Sequence, residues 1–212
     1  MTNKPQVLAS PKGVARYPWL TQPDYDFAEK YNSAPEYKCQ LVLNKADSEA
    51  FKAQLTKVYQ EAYNTACQEE GKKLKQYSEF PWVDLEDPDT GEATGETAFK
   101  FKLKATGENR RTGKTWENRI AWLNASRQPM EVPMESVGGG SVIRIAFEPY
   151  TWNAPIGFGL TLRIKIVQLI DHKTYVTNSD ELANKLFDVE GDGFPGVEDS
   201  SDSPATDSGA DF

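Results

Sequence analysis

The chain has 212 residues, of which 38% are apolar, 26% charged and 11% aromatic, and its formal net charge at pH 7 is −8. This length and composition indicate a globular protein with a real core, and they exclude a membrane protein because no apolar run approaches ~18 residues. The polar, proline-bearing N-terminus does not resemble a secretion signal, so the sequence predicts a cytosolic protein.

The negative charge is concentrated at one end of the chain. Residues 188–212 contain eight Asp or Glu and no Lys or Arg, whereas residues 1–187 contain 24 of each sign. Residues 98–170 carry eleven Lys or Arg against five Asp or Glu, a local charge of +6. We therefore predict a body at 1–187 with a basic middle and a tail at 188–212, which is disordered because it cannot bury enough apolar surface.

The N-terminal third begins irregularly and then becomes regular. Prolines and scattered aromatics interrupt any helical period in residues 1–38, which predicts an irregular arm laid over the body. Alternating apolar residues over 37–43 predict the first strand.

The clearest helix is predicted over residues 47–71. Asp47 or Ser48 caps its start, and Gly71 ends it in a left-handed conformation. Its apolar stripe is expected to dock on the sheet, and the stripe consists of Phe51, Leu55, Val58, Ala62 and Ala66. A second, short helix is predicted over residues 178–187.

Three segments of the basic middle alternate apolar and polar residues, as strands with one buried face do. The inward positions are Phe99, Phe101, Leu103, Ile143, Ile145, Phe147, Leu160, Leu162, Ile164 and Ile166. The outward basic positions are Lys100, Lys102, Lys104, Arg144, Arg163 and Lys165. The pattern predicts core strands that share a basic face.

Loops between these strands carry further charge and aromatic rings. A turn after residue 105 holds Arg110, Arg111 and Lys114, and it leads to Trp116 and a strand through Arg119, Ile120 and Trp122. Gly138 to Gly140 precede a strand, so they favour a bend at a barrel corner over a phosphate-binding loop. Tyr150 and Trp152 follow that strand, where they either plug the barrel end or face a ligand.

Catalytic and metal chemistry is poorly supported. His172 is the single histidine, and it has no nucleophile motif nearby. The acidic loop at 84–97 lacks the ligand spacing of a calcium loop. Cys39 and Cys67 are far apart in sequence and form no CxxC pair, which predicts reduced thiols. We predict neither an enzyme nor a bound cofactor or metal.

Basic strand faces with aromatic rings at their loops are what single-stranded nucleic acid requires. Lys and Arg follow the phosphate backbone, while every base can stack on an aromatic ring for roughly 1–3 kcal/mol. Binding of this kind is expected to tolerate any base sequence and to weaken as the salt concentration rises. The candidate binding residues are Lys100, Lys102, Lys104, Arg110, Arg111, Lys114, Trp116, Arg119, Arg144, Tyr150, Trp152, Arg163 and Lys165.

Several motifs resemble the single-stranded DNA-binding replication proteins of tailed bacteriophages. They are Pro23-Asp24-Tyr25, Phe99-Lys100-Phe101-Lys102, Gly138-Gly139-Gly140-Ser141, Pro149-Tyr150-Thr151-Trp152-Asn153 and the terminal Asp211-Phe212. The resemblance spans most of the chain.

That resemblance implies a mainly β fold, a five-stranded OB-fold barrel elaborated by one long α-helix. It also implies a homodimer that coats single-stranded DNA during phage replication and recombination, in the cytoplasm of the infected bacterial host. By the same resemblance, Asp207, Asp211 and Phe212 would bind partners such as the DNA polymerase and the helicase-primase. The acidic tail is also expected to occlude the protein's own basic groove.

Two other functions remain open at this point. A basic face could bind acidic protein segments in an interaction module that has no role on DNA, although such a face has no need of aromatic rings. An RNA-binding OB-fold protein would use the same kind of groove.

Overall fold

The computed structural model describes residues 6–109 and 111–174, and within them the chain forms eleven strands and two helices. The strands are β1 (Leu8–Ala9), β2 (Gly13–Asp24), β3 (Glu36–Leu43), β4 (Trp82–Glu86), β5 (Ala93–Lys104), β6 (Thr106–Glu108), β7 (Thr115–Glu117), β8 (Ala121–Leu123), β9 (Pro129–Met130), β10 (Val142–Ala154) and β11 (Gly157–Asp171). The helices are α1 (Tyr25–Lys30) and α2 (Lys45–Glu70).

Five strands close into a barrel. β2 pairs with β3, β3 with β5, β5 with β11, β11 with β10, and β10 again with β2. The β5 and β11 pair is parallel, and the other four pairs are antiparallel. A closed five-stranded barrel of this kind is the OB-fold architecture. The predicted mainly β fold with one long helix is confirmed.

The alternation in β5, β10 and β11 places their apolar residues in the core. The fully buried side chains of these strands include Phe99, Phe101, Phe147, Ile143, Ile145, Leu162 and Ile164. The predicted inward position of Ile166 is wrong. Ala146 pairs with Ile166 while Phe147 pairs with Ile164, so the register shifts by one residue at Lys165. Val167 is buried in its place, because a shift of one residue exchanges the two faces of a strand.

Helix α2 packs against the barrel, as predicted. It begins earlier than predicted, and its buried face is rotated around the helix axis relative to the predicted apolar stripe. Asn44 is the N-cap residue, and its side chain accepts a hydrogen bond from the Asp47 amide at 3.0 Å. Gly71 ends the helix with φ of 64°, as expected. Tyr59 and Tyr63 are buried alongside the predicted phenylalanine and leucine, since their hydroxyl groups can donate to backbone carbonyls of the body.

The prediction of an irregular N-terminal arm is wrong for residues 13–30. Residues 13–24 form β2, a barrel strand, and residues 25–30 form α1. The prolines at 18 and 23 fall where the register between β2 and β3 shifts, so the strand accommodates them without a continuous ladder. The strand predicted first in the chain, β3, is the third.

Two loops differ from their sequence patterns. Part of the acidic segment 84–97 belongs to the strands β4 and β5. Between them, the Asp87 carboxylate accepts hydrogen bonds from the backbone amides of Asp89 and Thr90. These hydrogen bonds lower the pKa of Asp87. The strand predicted from Trp116 through Trp122 is interrupted, because β7 pairs with β6 in a separate two-stranded sheet and β8 joins the edge of β11.

The glycines at 138–140 form a turn before β10, in agreement with the predicted bend, and Gly140 has φ of 88°. Both cysteines are free, and burial raises the pKa of Cys39 to about 12, which keeps it a thiol. In the part of the chain that the structure describes, no helix combines the length and apolar character of a membrane span.

The predicted helix at 178–187, the boundary between body and tail at 187/188, and the tail lie outside the described residues.

Candidate nucleic-acid interface

An open groove of about 630 Å³ crosses the outer face of the barrel. Its lining residues are Glu36, Lys102, Leu103, Lys104, Trp116, Asn118, Tyr150, Trp152, Thr161, Arg163 and Lys165. Seven of them were predicted from the sequence to bind nucleic acid. The lining holds four cations and one carboxylate, a net charge of +3, so the groove attracts polyanions.

Strand register brings the cations together. Lys102 and Lys104 alternate with the buried Phe101 and Leu103 on β5, so both point outward. In the parallel pair of β5 and β11, Lys102 lies opposite Arg163. Charges that are separated in sequence therefore stand on neighbouring strands.

Tyr150 presents its ring beside one of these cations. The guanidinium carbon of Arg163 lies 3.2 Å from the centroid of the Tyr150 ring, and Tyr150 is 37% exposed. This stacking holds a flat aromatic group next to a fixed positive charge. In single-stranded nucleic acid, a base can stack on such a ring while a neighbouring phosphate pairs with the positive charge.

Trp152 forms the wall next to Tyr150. Its indole Nε1 donates to the Thr161 hydroxyl at 3.1 Å, and its ring lies 5.2 Å from the ring of Tyr77. These contacts fix the indole orientation, so Trp152 is a pre-positioned surface of the groove rather than a freely rotating side chain.

Two glycines make room for the two tryptophans of the groove. A Cβ atom on Gly159 would lie 2.2 Å from Trp152, and a Cβ on Gly107 would lie 2.2 Å from Trp116. Each glycine is the cross-strand partner of its tryptophan. Each indole therefore packs directly on bare backbone.

Lys165 is partly neutralised. Its ammonium lies 2.8 Å from the carboxylate of Glu148, which is largely shielded from solvent. We expect Lys165 to contribute less to phosphate binding than Lys102 and Lys104, for which the described residues show no ion pair.

The remaining predicted residues fall into three groups. Lys100 points outward from β5, outside the lining of the groove. Arg111 and Lys114 are exposed on the turn between β6 and β7, the hairpin that supplies Trp116, whereas Arg110 lies outside the described residues.

The structure does not bring Arg119 and Arg144 into the groove. Arg119 pairs with Glu117 at 3.1 Å on the exposed surface. Arg144 lies on β10 opposite Gln168, on the other side of the register shift from Tyr150. The predicted partner-binding residues Asp207, Asp211 and Phe212 are outside the described part of the chain.

Sequence reasoning missed Lys38, which lies opposite Lys102 on the neighbouring strand β3. The sequence contains a pattern that indicates its outward position, because Lys38 alternates with the inward residues of the predicted strand at 37–43. Lys38 lies outside the basic middle, which begins at residue 98, and only the pairing of β3 with β5 joins the two regions.

Residues 12–172 match the family described as the single-stranded DNA-binding protein of bacteriophage T7. The match covers about three quarters of the 212 residues, and the chain belongs to this family.

Individual relatives agree with that assignment. The single-stranded DNA-binding proteins of Enterobacteria phage T3 and Escherichia phage T7 are 30% and 28% identical to this chain, over 205 and 200 residues. The alignments cover 87% and 85% of this chain, and 84% and 82% of the relatives.

Solved structures share the fold. The crystal structure of gp2.5, a single-stranded DNA-binding protein encoded by bacteriophage T7, aligns with a TM-score of 0.64 at 24% identity, covering 90% of this chain and 98% of that one. The single-stranded DNA-binding protein of bacteriophage Enc34 in complex with single-stranded DNA aligns with a TM-score of 0.55 at 18% identity, covering 79% and 87%.

Proposed function

We propose that the chain binds single-stranded DNA without sequence preference in the groove between β5, β10 and β11. The observation that carries this proposal is the stacking of Arg163 on Tyr150 beside Lys102 in one open trough. Membership of a family of single-stranded DNA-binding proteins supports it.

The two kinds of side chain have different roles. Lys102, Lys104 and Arg163 face the phosphates, and the counterions that they displace from DNA make binding salt-dependent. Tyr150 and Trp152 receive bases by stacking, which works for every base because each has a π-face. The groove therefore favours a strand whose bases are already unpaired.

A titration with oligo-dT tests the proposal. Tryptophan fluorescence of the full chain should be quenched on binding, and the observed affinity should fall steeply as salt is raised. Quenching that is absent, or that does not respond to salt, would contradict a role for the groove in DNA binding.

Two competitors in the same titration distinguish the other functions. A matched RNA oligomer that displaces oligo-dT at equal concentration would favour an RNA-binding protein. An acidic peptide that displaces oligo-dT equally well at matched charge would favour an interaction module, because a peptide offers no bases to stack.

We further propose that residues 188–212 compete with DNA for the groove. This segment carries eight carboxylates and no basic residue, while the groove lining has a net charge of +3. Deleting residues 188–212 should tighten oligo-dT binding, most strongly at low salt, because an intramolecular competitor acts at high effective concentration. Equal affinities of the full and shortened chains at several salt concentrations would argue against occlusion.

The same segment is proposed to recruit replication proteins. Asp207, Asp211 and Phe212 are the residues expected to contact the DNA polymerase and the helicase-primase during replication and recombination. We infer that the protein works as a homodimer in the cytoplasm of the infected bacterial host. Pull-down of the polymerase by the full chain and by a chain lacking residues 188–212 tests recruitment, and sedimentation tests the dimer.

A further inference from the structure

Two exposed rings lie on α1 and its C-cap, in the connection between β2 and β3. Phe27 and Tyr31 are 49% and 58% exposed, and their ring centroids are 4.4 Å apart. Because they are four residues apart along α1 and its C-cap, they lie on one face. A pair of large rings held together in solvent buries little, so packing does not explain it.

Lys38 of β3, which lies opposite Lys102, contacts one ring of this pair. The ammonium of Lys38 lies 4.4 Å from the centroid of the Phe27 ring and 2.5 Å from the carboxylate of Asp24. Asp24 also accepts the Phe27 amide at 2.9 Å and thereby caps α1. Lys38 therefore contacts the Phe27 ring directly and the N-cap of α1 through Asp24.

The register of the barrel places Lys38 in line with the groove. Lys38 is opposite Lys102, Lys102 is opposite Arg163, and Arg163 stacks on Tyr150. The three cations thus span two strand spacings, about 10 Å, with an exposed ring at either end of the row. Each terminal cation already contacts its ring.

We propose that Phe27 and Tyr31 form a second base-stacking subsite, continuous with the groove through Lys38. This inference rests on the proposed binding of single-stranded DNA. One stretch of DNA lays its phosphates over Lys102 and Arg163, and Lys38 contributes less because Asp24 pairs with it, as Glu148 does with Lys165. The bases stack on Tyr150 at one end and on the α1 rings at the other. Connections such as the one that contains α1 are common nucleic-acid contacts in OB-folds.

The test compares ring removal on the two faces of α1. In the full chain, the double variant F27L/Y31L should bind a long oligo-dT about five- to 140-fold more weakly, the equivalent of losing one stacked base at roughly 1–3 kcal/mol. Its salt dependence should stay as in the unmodified chain, because stacking releases no counterions. Y25L is the matched control, since Tyr25 is 59% exposed on the same helix but lies two residues from Phe27, on a different face.

Unchanged affinity of F27L/Y31L, with the unmodified chain still bound to oligo-dT, would overturn the subsite alone. Failure of the unmodified chain to bind would instead overturn the proposed function. An equal loss in Y25L would also contradict the subsite, since it would indicate disturbance of α1 rather than loss of a stacking surface.

Photocrosslinking keeps the inference testable if the variants fold poorly. The unmodified chain, bound to oligonucleotides that carry 5-iodouracil, should yield adducts both in the peptide that contains Phe27 and Tyr31 and in the peptide that contains Tyr150. Adducts confined to the Tyr150 peptide would contradict the second subsite.

Discussion

The outer face of the barrel changes character along the same strands. At one end, Lys38, Lys102 and Arg163 lie side by side on β3, β5 and β11. At the other end of β3 and β5, Val42 and Ala98 are opposite each other, with Val14 and Val83 on the flanking strands.

Both ends border a depression, but the two differ in chemistry. The apolar end opens on a pocket of about 990 Å³ whose lining includes Val14, Val42, Leu85 and Val137. That lining also holds Arg16, but Glu96 balances its charge, so the net charge of the pocket lining is zero and a polyanion is attracted less strongly there than to the groove, whose lining carries +3. The comparison teaches that barrel closure alone does not create a basic groove. The side chains at the outward positions decide the charge of each end.

Removing charge from the basic end should have the largest effect. The triple variant K102Q/K104Q/R163Q should lower the slope of log affinity against log salt by about 2, which is about 0.7 for each lost phosphate contact. Fluorescence titration with oligo-dT at several salt concentrations measures the slope. The variant K12Q/K45Q/K57Q removes the same charge from exposed lysines outside the groove lining and should leave the slope nearly unchanged. Equal slopes for the two triple variants would contradict the prediction that the lysines and the arginine of the basic end contact the phosphates.

Removing the ring at the basic end comes next. Y150L should weaken oligo-dT binding about five- to 140-fold, since one base loses its stacking partner at roughly 1–3 kcal/mol. V14S changes an exposed side chain at the apolar end and should bind as the unmodified chain does. A loss of affinity in V14S as large as that in Y150L would place the apolar end on the DNA path.

Adding one methyl group beneath Trp152 should have a smaller effect. In G159A the new Cβ would meet the indole at 2.2 Å, so the ring must move and its hydrogen bond to Thr161 is strained. We expect a cost of about 1–3 kcal/mol in unfolding free energy, typical of overpacking, together with weaker oligo-dT binding.

Urea denaturation and titration of the same G159A preparation measure both quantities. G139A is the control, because a Cβ at that position meets nothing within 4 Å. If G159A matched G139A in both measurements, the indole would not depend on the bare backbone beneath it.

The smallest effect concerns the acid stability of the Asp24 carboxylate. Burial acts to raise its pKa, but the Lys38 ion pair and the Phe27 amide outweigh burial, and the net shift is downward. A depressed pKa stabilises the fold above the unfolded value near 3.9, and this contribution is lost as the pH falls through the folded pKa.

In D24N, asparagine can still cap α1 but cannot pair with Lys38. The unfolding free energy of D24N should therefore fall less steeply below about pH 4 than that of the unmodified chain. Urea denaturation between about pH 2 and pH 7 measures this. Identical pH dependence of the two proteins would contradict the role of the ion pair.

The local alternation of the sequence was sufficient to predict the core of the barrel. Phe99, Phe101 and Ile145 are buried because a strand with one wet face requires alternate residues to be apolar, and that rule needs no knowledge of neighbouring strands. The end of α2 at Gly71 was predictable for a similar reason, since a left-handed C-cap favours glycine locally.

Features that depend on pairing between distant strands could not be predicted. Strand β2 was missed because its prolines are tolerated only where the register with β3 shifts, and that shift is a property of two strands. The shift at Lys165 likewise decides which residues of β11 face inward. Arg144 and Arg163 have similar sequence surroundings, yet only Arg163 lies in the groove.

The glycines paired with Trp116 and Trp152 restrict which substitutions this surface can tolerate during evolution. Gly107 and Gly159 offer no side chain to a ligand, yet any larger residue would tilt an indole out of place. Surface lysines can drift to arginine and still neutralise a phosphate. The residues least free to vary near this trough are therefore expected to be two that a survey of ligand contacts would overlook.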